Sequence, residues 1–514
     1  MFKRSSDELF QLVKSLEKAE KRNFKLFVQR NLGTADLKIT TLFDVLDSME
    51  EYDEEVLLRK VKTLKTAQLP NLKANLYRQI LASLRTMRDD LNVEIQLHEQ
   101  MEYARILYNK GLYQQSLKTL ARVKEMAKTF HQSTFVHQAL TFEKKIELLH
   151  ITRSLQDRAE NLSTEVNELN ERLSLIGHLS NLSLHLYSWY INLGLARNEK
   201  DAAAVTAFFS TQLPPDAHTI RSFFGRLYLF QAYCWRGLIV QDFLLYYRYS
   251  QRWVDLFEEE PAMKRVETQF YIKGLHNLLH AHFMLRNYPK FDEVLCRFED
   301  FAKTEEAGAN INIQVQAFVY LALARLDEHF LKGTFTEGLP LAQEIEARLT
   351  SWHSQIDRHR TLVFYYKIAC LYFGAGDAGT TVEYLNRIIH PKADLRSDLQ
   401  CYARLLHLIA HFELGNFSIL EHLIKSTYRF MAQLETLSAV EEEIFRFLRK
   451  SFQLDSPKRI RSAFSILKDK LEKLQEDPFE SRSFMYLDII GWLESKIAGV
   501  TVQEVIRRRY EKRR

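Results

Sequence analysis

The chain is 514 residues long, 46% hydrophobic and 27% charged, with a formal net charge of +5. That length exceeds one compact core of ordinary size, so the chain is either several domains or one extended array. It has only 16 glycines and 9 prolines, against average usage of about 7% and about 5%, which argues against a turn-rich β fold. Cys234, Cys296, Cys370 and Cys401 stand singly with no C-x-x-C pair, the pattern of reduced thiols rather than of a disulfide framework or a zinc site. The N-terminal stretch has no apolar signal-type core, and no run of about 18 apolar residues occurs, so a cytoplasmic protein without membrane insertion is expected.

Residues 1–95 read as a helical N-terminal domain or cap. Ser5-x-x-Glu8 is a capping box, and Leu9, Leu12, Val13, Leu16 and Ala19 follow it at helical spacing. Helices are expected over 41–49 and 54–64. Pro70 then opens a long helix carrying Leu72, Leu76, Ile80, Leu84, Met87, Leu91 and Ile95 as one stripe. No repeat turn occurs here. An array needs a terminal element to cover its first apolar face, and both a cap and an independent binding module remain open for this segment.

From residue 96 to 480 one turn recurs between apolar helices. It reads Gly111-Leu112-Tyr113-x-x-Ser116, Gly333-Thr334-Phe335-x-x-Gly338, Gly376-Asp377-Ala378-x-x-Thr381 and Gly415-Asn416-Phe417-x-x-Leu420. Looser copies begin at Arg197, Gly237 and Arg286, and a weak one at Asp455-Ser456-Pro457. Each unit is a helix, a turn in which Gly or Asn ends that helix with left-handed backbone, and a second helix. The aromatic two positions on packs between the pair, and a small residue three further on lets the second helix approach. In the clearest unit the helices span 362–373 and 380–389. A unit recurring at this scale predicts a solenoid. Within the widest gap, Leu155, Ala159, Leu162, Val166, Leu169, Leu173 and Ile176 keep heptad spacing. That seam packs either within the chain or, through 155–176, in a homodimer. Residues 481–514 read as C-terminal helices with a basic tail.

Ala369-x-x-Tyr372-x-x-x-Gly376-Asp377-x-x-x-Thr381 and Tyr108-x-x-Gly111-x-Tyr113-x-x-Ser116-Leu117 resemble tetratricopeptide repeats. The resemblance covers roughly residues 100–480, and the chain as a whole is similar to divergent bacterial helical-repeat proteins of that type. The units here run longer than the family's, and the family's Trp and closing Pro are mostly missing. The resemblance implies an all-α, right-handed superhelical solenoid with a concave groove that binds peptides, helices or other proteins. It carries over no catalytic residue and no cofactor.

Candidate chemistry is sparse. Gly374-Ala375-Gly376-Asp377-Ala378-Gly379 satisfies the G-x-G-x-x-G dinucleotide fingerprint, but it sits in register with the Gly333 and Gly415 turns and has no neighbouring β-α-β units. His276 and His280, and His407 and His411, stand one helical turn apart as metal ligands do. Both pairs lack the Glu of H-E-x-x-H and an evident third ligand, so packing histidines are the simpler reading. Residues 221–253 combine eleven aromatics with five arginines and one acid, which suits a repeat core, a partner groove with Arg anchors, or single-stranded nucleic acid. The tail holds Arg507, Arg508, Arg509, Lys512, Arg513 and Arg514, and the last eight residues account for the whole net +5.

The expected function is therefore a non-catalytic interaction scaffold or adaptor that holds an unidentified protein or peptide in its groove. The expected groove residues are Tyr233, Trp235, Arg236, Tyr365 and Tyr366. The alternative is an RNA- or ribosome-associated protein using the basic tail and the 221–253 segment.

Overall fold

A computed structural model of the chain describes residues 8–31, 37–61, 66–87, 92–150, 157–390, 397–434, 437–451, 456–477, 479–480, 484 and 488–513. Among them are 26 α-helices and no strand. No described helix is long and apolar enough to cross a membrane. The chain divides into two compact units, Met1–Glu102 and Tyr103–Arg514.

The first unit holds α1 (Glu8–Ser15), α2 (Lys18–Asn31), α3 (Leu37–Ser48), α4 (Glu54–Lys60) and α5 (Leu69–Arg85). Val13, Phe24, Leu42, Phe43, Leu46, Leu57, Leu76 and Ile80 form its core. Asp53 caps α4 by accepting from the Glu55 and Val56 amides, and acids and bases sit at the ends that the helix dipole favours. The long helix opening at Pro70 does not reach Ile95. It stops at Arg85, and Ile95 stands 49% exposed on the next helix, α6 (Val93–Asn109). Ser83 and Thr86 turn their hydroxyls onto the Ile80 and Ser83 carbonyls, local bonds that compete with helix continuation. Ser5 and Leu91 lie outside the described residues.

The second unit is built from helices packed in neighbouring pairs. After α6 come α7 (Tyr113–Thr129), α8 (Ser133–Leu149), the 37-residue α9 (Asp157–Leu193) and α10 (Glu199–Gln212). Then follow α11 (Phe223–Ile239) with α12 (Phe243–Glu259), the short α13 (Ala262–Val266), and α14 (Thr268–Met284) with α15 (Tyr288–Phe301). A short α16 (Glu305–Gly308) precedes α17 (Ile311–Lys332) with α18 (Phe335–Ser351), α19 (Arg358–Ala375) with α20 (Ala378–Ile389), and α21 (Ser397–Glu413) with α22 (Phe417–Gln433). The array continues through α23 (Ala439–Ser451) and α24 (Pro457–Leu474) to α25 (Ile489–Ala498) and α26 (Val502–Arg513). The first helix of one pair packs on the first helix of the next, as α14 does on α17 and α17 on α19.

The recurring turns carry this arrangement. Gly111, Gly333, Gly376 and Gly415 all adopt positive φ, between 65° and 90°. Ser116 and Thr381 are fully buried and donate to the carbonyls of Ala104 and Ala369, twelve residues back in each case. That shared bond closes the second helix onto the first. Phe335 packs as expected, stacked on Phe330, whereas Phe417 is 49% exposed at the same position of its turn. The unit placed at Gly237 is corrected. Gly237 lies inside α11, where an added Cβ would come 2.8 Å from the Tyr246 nitrogen. The left-handed residue is Gln241, four positions on. A further turn uses His131, which no glycine marks.

Of the six described residues of the heptad seam, Leu162 and Leu169 are buried, Val166, Leu173 and Ile176 are half-buried and Ala159 is exposed, while Leu155 lies outside the described residues. Beside the seam, Glu143 (2% exposed) pairs with Lys124 at 2.8 Å and with Arg158, and Glu165 pairs with Lys128 at 3.0 Å. These pairs tie α9 to α7 and α8.

The C-terminal helix α26 returns to the middle of the array. Gln503 accepts from the Thr336 amide at 2.9 Å, Arg507 pairs with Glu337 at 2.7 Å, and the Tyr510 ring meets Tyr288 edge-on. Gly333 is the notch for this docking. A Cβ there would lie 2.5 Å from the Arg507 nitrogen, so glycine is required both for its φ of 65° and for the approach of a neighbouring backbone.

Candidate ligand cavity

The inner helices of the array enclose a cavity of about 200 Å³. Helical spacing decides what it is lined with. On α14, Lys273, His276, Asn277 and His280 fall on one stripe; on α17, Tyr320, Leu323, Asp327 and Phe330 do; on α19, Arg360, Val363, Lys367 and Cys370 do. Tyr187 and Tyr190 of α9, Trp235 of α11 and Tyr246 of α12 complete the walls.

The charges inside are unevenly answered. Lys367 pairs with Asp327, a residue only 5% exposed, and lies over the Phe283 and Phe330 rings. Burial raises the Asp327 carboxyl, and Lys367 opposes that rise. Arg360 bonds Asp357 at 2.6 Å and the Tyr320 hydroxyl at 3.3 Å. Lys273 has no carboxylate partner among the described residues. Its ammonium rests over Tyr187 at 5.0 Å and Trp235 at 5.3 Å. Burial, reinforced by the Arg360 charge, lowers its pKa to about 8.

The histidines are neutral walls. His276 stacks on Tyr320 with centroids 4.1 Å apart, and burial followed by the neighbouring His280 and the three cations drives its pKa well down. His280 is lowered to about 3 by burial and then by Lys367. The Tyr246 hydroxyl donates to Asn277 Oδ1 at 3.2 Å and lies 3.3 Å from His280 Nδ1. With that proton committed, the ring nitrogen is assigned as the donor. Asn277 is 4% exposed, and its Nδ2 has no hydrogen-bond partner.

The other histidine pair is internally satisfied. His407 and His411 meet through their Nε2 atoms at 3.2 Å, and His411 Nδ1 faces Asn416 at 3.0 Å. Among the described residues no group of three His, Cys, Asp or Glu side chains is placed to hold a metal ion. The four cysteines are free thiols. The glycine fingerprint is a helix end, a turn and a helix start. Gly374 closes against the Phe335 ring and Gly376 is the left-handed cap of α19.

Of the five residues expected in a groove, Trp235 and Tyr366 line this cavity. Tyr233 and Arg236 lie outside its lining, in a ladder where Arg236 covers Phe209, Phe209 meets Tyr233, Tyr233 stacks on Tyr249 at 3.9 Å and Arg252 covers Tyr249. Tyr365 also lies outside, under Arg387 beside Tyr384. In the tail, Arg507 is paired with Glu337, and Arg509 with Asp488 and Glu494 at 2.8 Å each. Arg508 and Lys512 are exposed; the Arg513 side chain and Arg514 lie outside the described residues. Residue patterns missed Lys273, Asn277, Asp327, Arg360 and Lys367. The available signal was the i, i+3, i+7, i+10 register that places each charge on a stripe with aromatic or aliphatic residues.

No protein-family model matches the chain, and no curated protein matches it.

Proposed function

We propose that this chain is a non-catalytic helical-repeat binding protein that holds a peptide or protein segment against the inner helices of its array. In this reading the hairpins follow a right-handed tetratricopeptide-like superhelix, residues 1–95 act as a cap, and the protein works in the cytoplasm. The observation that carries it is the convergence of three successive first helices, α14, α17 and α19, on one aromatic cavity with charged groups in register. A nucleic-acid role has less support, because Arg507 and Arg509 of the basic tail are engaged by the chain's own carboxylates. The test is selection of a random peptide library on the full chain, followed by photo-crosslinking of enriched peptides. Crosslinks on α14, α17 and α19 are expected, with loss of binding in Tyr320→Ala. Failure to enrich any sequence, or crosslinks confined to the second helices of the pairs, would contradict the reading.

A further inference from the structure

The cavity holds three cations and one carboxylate: Lys273, Arg360 and Lys367 against Asp327. Asp357, outside the lining, answers Arg360. One positive charge is left over, and it belongs to Lys273. A partly buried charge without a carboxylate partner is costly, and aromatic faces at 5.0 and 5.3 Å offset only part of that cost. One helical turn on, Asn277 lines the same cavity, and its buried Nδ2 donor is unfilled. An unpaired cation and an unpaired donor, at i and i+4 of one helix and neighbours on its surface, ask for the same thing from a ligand: an acceptor carrying a single negative charge.

We infer that the cavity is a carboxylate-binding site, in which Lys273 and Asn277 hold the carboxylate and the rings of Tyr187, Trp235 and Tyr320 hold an apolar or aromatic body attached to it. The single excess charge selects a monoanion over a phosphate dianion. The Lys273 ammonium, weakened by burial, regains a partner on binding. The neutral state of His276 and His280 keeps the rest of the α14 stripe from adding a second charge. The carboxylate comes either from the C-terminus of a peptide or from a small free acid; the first source deepens the peptide-binding reading above and rests on it.

The experiment is calorimetric titration of the full chain with benzoate and its neutral isostere benzamide, beside two hexapeptides ending in Phe, one as the free acid and one amidated. At least one acid is expected to bind tenfold or more tighter than its neutral counterpart. Lys273→Met should erase that preference and leave the affinity for the neutral partner within twofold, while Lys273→Arg should keep it. Thermal unfolding of both variants shows that they fold, and Lys273→Gln replaces the first if it does not. Preference for benzoate alone assigns the site to free acids, and preference for the free-acid peptide assigns it to chain termini. Equal binding of the two peptides, with no preference between benzoate and benzamide, leaves the peptide-binding reading standing and overturns this one. Absence of binding by all four probes at millimolar concentration, or an acid preference that survives Lys273→Met, also overturns it.

Discussion

Two regions of this molecule carry positive charge, and they differ in how much of it is free to act. The tail, Arg507 to Arg514, accounts for the entire net charge of the sequence, yet in the fold Arg507 and Arg509 are spent on Glu337, Asp488 and Glu494. The inner cavity contributes one excess charge, Lys273, and no carboxylate among the described residues answers it. Charge count along the sequence marks the tail, whereas the charge of the cavity emerges only in the fold. What matters for recognition is charge left uncompensated where water is scarce, because there an ionic partner gains far more than at a screened surface.

The largest effect is expected at the buried pair of the cavity. Asp327→Ala leaves Lys367 without its carboxylate inside the cavity, and chemical denaturation should show a loss of about 3–5 kcal/mol. A loss below about 1 kcal/mol would mean that the cavity is as well hydrated as the surface. Next, Gly333→Ala must adopt a left-handed backbone and also push against the Arg507 backbone. It should cost about 2–4 kcal/mol, against about 1–2 kcal/mol for Gly376→Ala, which shares the left-handed φ but meets nothing within 4 Å. Equal losses would show that α26 is not held at the Gly333 notch.

Acid sharpens the contrast further. His280 has its folded pKa lowered to about 3, and that of His276 is also lowered. Between pH about 6.5 and 3 the unfolded chain takes up protons that the folded chain refuses, so stability present above pH about 6.5 is lost as pH falls. His280 contributes a slope of about 1.4 kcal/mol per pH unit in that window, and His276 acts in the same direction. A stability curve flat from pH 7 to 5 would contradict their burial as neutral rings. Lys273→Met removes an uncompensated charge and should raise stability by about 1–3 kcal/mol at pH 7. The smallest effect is expected at the tail: Arg507→Ala breaks an exposed pair with Glu337 and should cost less than about 1 kcal/mol, fading further in high salt.

The hairpin architecture was legible where a turn demands glycine. Gly111, Gly333, Gly376 and Gly415 are left-handed because little else adopts that backbone cheaply. At Arg286 the looser copy of the turn was enough to mark it, but the turn was not legible where His131 and Gln241 take the same conformation, since those residue types carry no mark of it. Gly237 misled for a related reason: its small size serves close packing of α11 on α12 rather than a turn. The histidine spacing at 276 and 280 located one wall of the cavity, but a pair at i and i+4 cannot say whether it faces a metal, a core or a ligand. Lys273 was one of 71 basic residues, and only the packing of α9, α11 and α19 around it reveals that its charge is unanswered.

The unanswered charge of Lys273 can be read directly. In protein labelled at the lysine side chains, the NMR titration of Lys273, assigned by its absence in Lys273→Arg, should show a midpoint at about 8. A midpoint at the ordinary lysine value of about 10.4 would mean that the ammonium is hydrated or paired, and the cavity would lose its claim to an anionic ligand.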